Sequence, residues 1–262
     1  MGKSNKLSDY IIIGPIINGL AWLGDITKVT LLSLFYIFLP PYRPKIFLAQ
    51  LYFIGNGSLS VILLTGSFTG MVLALQMFEV LKRFSSESMV GAVVALSLTR
   101  ELGPVLSALM VNARAGSSMA AEIGTMKVTE QIMAIESMAV NSYQYLISPR
   151  IFAGILMMPA LNIISNVVGV LGGYFITVSL LGLDPGLYFN KIDDFMEVRD
   201  LVNSSLKAAI FGLILTVVGS YQGFNTSGGA KGVGKATTSA VVISAVLILA
   251  FDYLLTSFMI QS

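Results

Sequence analysis

The residues of this chain that could do chemistry are charged groups set inside apolar runs. The stretch ALSLTRELGPVLSAL, residues 95–109, is long enough with its neighbours to cross a bilayer. Yet it carries Arg100 and Glu101 side by side, with Gly103 and Pro104 close behind. A charge at the bilayer centre costs about 2.5–3.5 kcal/mol on insertion scales, so such a residue faces a partner or a wet cavity. Adjacent residues on a helix project about 100° apart, so Arg100 and Glu101 do not neutralise only each other. Gly103-Pro104 can open the helix locally and leave carbonyls free. Two further charges, Lys207 and Asp252, fall at the edge of or within other apolar runs. Two readings of the pair follow. It is a bridge between helices through Lys207 or Asp252, or it is the polar lining of a cavity that receives a charged or zwitterionic substrate.

A second stretch, Gly229-Ala-Lys-Gly-Val-Gly234-Lys235-Ala236, has the outline of the phosphate-binding loop G-x-x-x-x-G-K-[ST]. Its last position is Ala236, so the hydroxyl that would hold magnesium is missing, and the motif needs a strand before it. Here it links two apolar segments, and the expectation is a flexible basic loop that binds no nucleotide. ATP, if it drives this protein, is then bound by another subunit.

The third stretch, SSMAAEIGTMKVTEQIMAIESMAV (residues 117–140), lies between the second and third apolar segments. Ile123, Met126, Ile132, Ile135 and Met138 can supply an apolar surface; Glu122, Lys127, Glu130 and Glu136 supply polar contacts. An interfacial helix with a solvated face fits this composition. So does a docking helix whose methionines adapt to a partner's groove.

The elements that position these residues follow from composition. Of 262 residues, 55% are hydrophobic and 11% charged, against roughly 25% charged in a soluble domain. The chain is expected to be an all-α integral membrane protein. A net charge of +2 is too small to argue for nucleic acid. There is no cysteine and no histidine. Thiolate nucleophiles, cysteine metal sites and histidine-dependent hydrolases are therefore excluded, and no metal site is expected.

Five spans are expected, at about residues 51–78, 89–113, 151–183, 206–222 and 237–260, each exceeding or approaching the roughly 18 apolar residues that mark a spanning candidate. A kink at Pro159 or protrusion beyond the bilayer would absorb the excess length of the third. Residues 1–50 precede them as a separate unit of interfacial helices, ended by Pro40-Pro41 and Pro44. The first twenty residues resemble a signal peptide but lack a small-x-small cleavage site, and retention is expected. The acidic stretch from Asp184 to Asp200 reads as a short surface helix. Gly66-Ser-Phe-Thr-Gly70 and Gly169-Val-Leu-Gly-Gly173 are patterns that allow close helix approach. Lysine and arginine concentrate in loops on the side of the N-terminus, which predicts N-terminus cytoplasmic and C-terminus outside.

GMVLALQ (70–76), ALSLTRELGPVLSAL (95–109), ARAGSSMAAEIGTMKVTEQIMAIESMAV (113–140), ISPRIFAGILMMPAL (147–161) and the terminal FDYLLTSFM closely resemble the MlaE/YrbE permease family, from about Leu51 to the C-terminus. The resemblance implies the permease subunit of an ABC-type phospholipid transporter in the inner membrane of a Gram-negative bacterium, present as a homodimer. It implies a cytoplasmic ABC ATPase that binds ATP and magnesium, a STAS-domain protein and a periplasmic MCE-domain hexamer as partners. Such a complex moves phospholipid between the inner and outer membranes and maintains outer-membrane lipid asymmetry. In the family, the residues matching Arg100 and Glu101 lie by the lipid cavity, and the segment matching residues 122–138 is the coupling helix. Glu122, Met126, Lys127, Glu130 and Met133 are then the expected ATPase contacts. Met71, Leu75 and Phe78, at helical spacing on the first span, could wall the cavity for acyl chains. A proton-coupled secondary transporter using Glu101 or Asp252 is the competing reading.

Overall fold

The computed structural model describes residue 21, residues 24–37 and residues 39–261. The expectation of a retained leader falls on residues 1–20, outside the described residues. Residues 24–37 form a helix, separate from the bundle's spans. Among the described residues there is no strand, and five helices are long and apolar enough to cross a membrane. The protein is a multi-pass, all-α membrane protein.

We number the later elements α1 (Pro44–Lys82), α2 (Glu87–Val128), α3 (Gln131–Ser137), α4 (Tyr143–Leu180), α5 (Pro185–Phe195), α6 (Val198–Phe224) and α7 (Gly229–Gln261). The spans are α1, α2, α4, α6 and α7, each longer than hydropathy alone suggests. At 42 residues, α2 is about 63 Å long, roughly twice the hydrocarbon core. Apolarity stops at the membrane boundary, whereas backbone hydrogen bonding carries the helix on into the aqueous face. The third span, α4, runs through Pro159 and takes a wide π turn at each end, Tyr143–Ile147 and Phe175–Leu180.

Two corrections follow. The Gly229–Ala236 stretch is not a flexible loop: the chain turns over residues 225–228, with Gly228 and Gly229 at positive φ, and α7 is helical from Gly229 onward. Its small residues continue into an apolar span, so the backbone closes helical hydrogen bonds rather than a phosphate cradle. Nor are residues 122–138 one helix. α2 ends at Val128, Glu130 adopts a left-handed conformation (φ 61°), and α3 starts afresh.

The two small-residue motifs pack against each other. α1 and α4 form the most extensive helix pair, and a Cβ on Gly70 would collide with the Gly169 carbonyl. Backbones come this close only where neither helix carries a side chain. The core beneath is layered from Ile62, Met119, Met158, Phe211 and Leu215. The acidic stretch does contain a helix, α5, capped by Asp184, whose carboxylate accepts from the Leu187 N–H at 3.1 Å. It is anchored by Tyr188, fully buried, whose hydroxyl donates to the Val170 carbonyl at 3.0 Å. That burial raises the phenol above its ordinary titration range.

One end of the bundle gathers residues 24–37, the start of α1, the end of α2, α3 and the α6–α7 turn. Contacts such as Tyr143 on Phe224, with ring centroids 5.2 Å apart, hold them together. The other end holds the α1–α2 turn, α5 and the start of α6.

Candidate functional site

The site grows from a local fault in α2. Residues Leu98–Leu102 form a π turn rather than an α turn, which explains how the helix passes Gly103-Pro104 without breaking: the wider turn seats Pro104 at the start of the next α segment. A side chain at Gly103 would run into Asn166 Oδ1 from α4, so glycine is required for the helices to meet there. Beside this contact lies a buried polar layer. Asn162 and Asn166 both donate to Ser204 Oγ, at 2.8 and 3.4 Å, while Thr99 Oγ1, Asn162 Oδ1 and Asn166 Oδ1 are buried with no hydrogen-bond partner among the described residues.

The π turn sends Arg100 and Glu101 to different partners. Arg100 reaches Asp200 at the start of α6 in a two-pronged bridge, Nε to Oδ1 at 2.8 Å and Nη2 to Oδ2 at 3.3 Å. Asp200 also accepts the Glu197 N–H at 3.2 Å, so one carboxylate holds the guanidinium and caps the helix. Glu101 turns towards Lys207 instead. The Lys207 side chain is 3% exposed, and its ammonium shares its three N–H groups among Glu101 Oε1 (3.0 Å), Asp252 Oδ1 (3.3 Å), Thr256 Oγ1 (2.6 Å) and the Arg100 carbonyl (2.9 Å). Thr256 closes the ring by donating to Glu101 at 2.9 Å. Three helices, α2, α6 and α7, are tied by one cation.

A cavity of about 380 Å³ opens beside these groups, lined by Arg100, Glu101, Arg199, Asn203, Lys207 and Thr256 among others. The Arg100 side chain is 56% exposed and that of Glu101 40%, against 11% for Asp200. Asp200 occupies one edge of the guanidinium, so its remaining N–H groups are available to an anion in the cavity. The cavity lining carries three cations (Arg100, Arg199, Lys207) and three carboxylates (Glu101, Glu197, Asp200), a mixture that suits an incoming group bearing a positive as well as a negative charge.

Arg100 and Glu101 thus bridge helices, as one sequence reading expected, and both also line a cavity. The other expected cavity residues lie elsewhere within this chain. Phe78 packs with Ala74, Val90, Val94 and Leu98, Met71 lies against Gly172, and Leu75 is exposed on the outer face of α1. Asp200, Thr256, Asn162, Asn166 and Ser204 were not expected. Their signal was present as helical spacing, 200–204–207 on α6 and 252–256 on α7, each a polar stripe on an apolar helix.

At the opposite end, Glu122 bridges to the buried Arg150 (2.9 Å), which also donates to the Leu146 carbonyl. Lys127 lies over the Phe224 ring at 5.2 Å, and Met126 packs inward beside Ile123 and Ile132. Glu130, Met133 and Met138 are exposed. Of the five residues expected to meet a partner, three are engaged within the chain and two face outward.

The family model described as Permease MlaE matches residues 47–258. The chain is 44% identical over 234 residues to a probable ABC transporter permease protein of Rickettsia bellii, covering 89% of this chain and 90% of that one. It is 40% identical over 211 residues to the intermembrane phospholipid transport system permease protein MlaE of Haemophilus influenzae, covering 80% and 81%. It is 37% identical over 214 residues to the chloroplast protein TRIGALACTOSYLDIACYLGLYCEROL 1 of Arabidopsis thaliana, covering 82% and 61%. The family match takes in all five spans, the charged cluster and both halves of the segment between α2 and α4, and the chain belongs to the MlaE permease family.

Proposed function

We propose that this chain is the membrane subunit of an ABC-type transporter that moves phospholipid between two membranes, driven by ATP hydrolysis in a partner. The observation that carries this reading is the half-open cavity beside Arg100 and Glu101. A zwitterionic headgroup matches it: phosphate on the guanidinium edge that Asp200 leaves open, amine on the exposed carboxylate of Glu101. At about 380 Å³ the space holds a headgroup rather than a whole lipid, so acyl chains must extend along an apolar face. α7 supplies one, with Val242, Val246, Leu249 and Phe258 exposed. A second copy of the chain meeting that face would enclose the lipid in a homodimer, with Met71, Leu75 and Phe78 as further apolar wall.

The end of the bundle that carries Lys28, Arg43, Lys45, Lys127, Lys231 and Lys235 is then the cytoplasmic one, the cavity opens towards the periplasm, and the membrane is the bacterial inner membrane. The exposed residues from Val128 to Met138 meet the ATPase. A STAS-domain protein, a periplasmic MCE-domain hexamer and a role in outer-membrane lipid asymmetry belong to the same reading, with ATP and magnesium bound by the ATPase.

The test is copurification from native membrane, followed by reconstitution of the captured subunits in vesicles with fluorescent phospholipid. ATP-dependent lipid movement that survives a protonophore is expected. Movement abolished by the protonophore and indifferent to ATP would establish the proton-coupled alternative instead.

A further inference from the structure

A second cavity lies at the other end of the bundle, in a groove between residues 24–37 and the starts of α1 and α4. Its walls are Tyr36, Ile37, Leu39, Pro41, Phe47 and Phe152, and its floor is the stacked pair Phe47–Phe152, with centroids 4.9 Å apart. The polar side chains inside are spent on the fold: Gln144 donates to the Leu39 carbonyl and Ser148 to the Ser33 carbonyl, both at 2.8 Å. Arg43 stands exposed among the lining residues, its guanidinium stacked over the Tyr145 ring at 4.6 Å. Among the described residues it has no carboxylate partner, and Lys45 follows it, also exposed. Stacking fixes the guanidinium plane while leaving its N–H edges free to donate.

We propose that this groove binds a phospholipid of the leaflet at which α1 and α4 begin, one acyl chain in the groove and the phosphate on Arg43. Three features select this occupant. The lining holds one cation, Arg43, and no acidic residue, and α1 starts there with its positive end. The volume of about 280 Å³ falls below the roughly 300–1,000 Å³ of sites that engulf a small molecule, and suits a single chain. The groove lies where two spans start. Because the helix of residues 24–37 forms one wall, the bound lipid would clamp it to the bundle. This site is at the end opposite the Arg100 cavity and stands whether or not that cavity carries transported lipid.

The full chain is placed in phosphatidylethanolamine nanodiscs containing a minor fraction of phosphatidylglycerol with a diazirine in its acyl chain, and crosslinks are mapped by mass spectrometry. Labelling should concentrate on the peptides bearing Phe47 and Phe152, above that at Leu171, an exposed residue of α4. Arg43→Glu should lower it about tenfold, the change expected from losing a hydrogen bond to a charged group, with Leu171 labelling unchanged; Arg43→Lys should retain most of it. Benzoylphenylalanine in place of Ile37, irradiated in native membranes, should capture phospholipid. Labelling no higher at Phe47 and Phe152 than at Leu171, equal labelling in Arg43→Glu, or capture of polypeptide at position 37 would each overturn the proposal.

Discussion

Lys207 on α6 sits between Glu101 of α2 and Asp252 of α7, its ammonium 3.0 and 3.3 Å from their carboxylates and almost wholly out of solvent. Removing one partner from such a group leaves the other charges uncompensated, a loss of about 3–5 kcal/mol, whereas exchanging the whole set for neutral groups of similar shape is close to neutral. Lys207→Ala should therefore unfold in detergent well below the parent protein. The triple variant Lys207→Met, Glu101→Gln, Asp252→Asn should recover most of that stability and still fail to move lipid. A triple variant that transports normally would reduce the cluster to a tie between helices.

The Arg100–Asp200 bridge calls for a different expectation. The arginine side chain is more than half exposed, and an ion pair in that setting is worth about 1 kcal/mol or less. Asp200→Asn should barely shift the melting temperature. It should, however, lower the affinity for phospholipid, because the guanidinium is no longer held with one edge towards the cavity. Lipid binding by native mass spectrometry checks it; unchanged binding would show that Arg100 needs no orienting partner.

Much of the arrangement was legible in the sequence, and what was not has a physical reason. Five spans, the close approach of the Gly66–Gly70 and Gly169–Gly173 motifs, and the divergence of Arg100 from Glu101 all follow from residue type and spacing. The partner of Arg100 did not follow, because the acidic stretch from Asp184 to Asp200 reads as a surface helix apart from the span expected at about residue 206, whereas Asp200 lies in the first turn of α6 and its carboxylate caps that helix at Glu197. The helical start of α7 was hidden by glycines that read as a loop. The break at Glu130 carries no glycine or proline to mark it, only a positive φ that glutamate rarely adopts.

Gly103 offers a test of the π turn. An added methyl would strike Asn166 Oδ1, and overpacking of a tight helix contact costs about 1–3 kcal/mol. Gly103→Ala should be destabilised on that scale, and Asn166→Ala in the same chain should restore part of the loss. The double-mutant cycle gives the coupling directly; additive effects would mean that the two residues do not compete for one space.

The segment after α2 separates two roles that composition alone confounds. Glu122 is held by Arg150 and Lys127 by the Phe224 ring, so their substitution disturbs this chain before it disturbs any partner. Glu130 and Met133 are outward, and Glu130 bears a backbone conformation that costs a non-glycine residue about 1–2 kcal/mol. Glu130→Gly should leave the permease as stable as the parent or more so, since it relieves that conformation. If the exposed surface docks an ATPase, Met133→Asp should lower copurification of that subunit by about 1–3 kcal/mol, the usual range for an important contact, at an unchanged melting temperature. Glu122→Ala should lower both together. Met133→Asp retaining full assembly and coupled ATP hydrolysis would place the docking surface elsewhere on the permease.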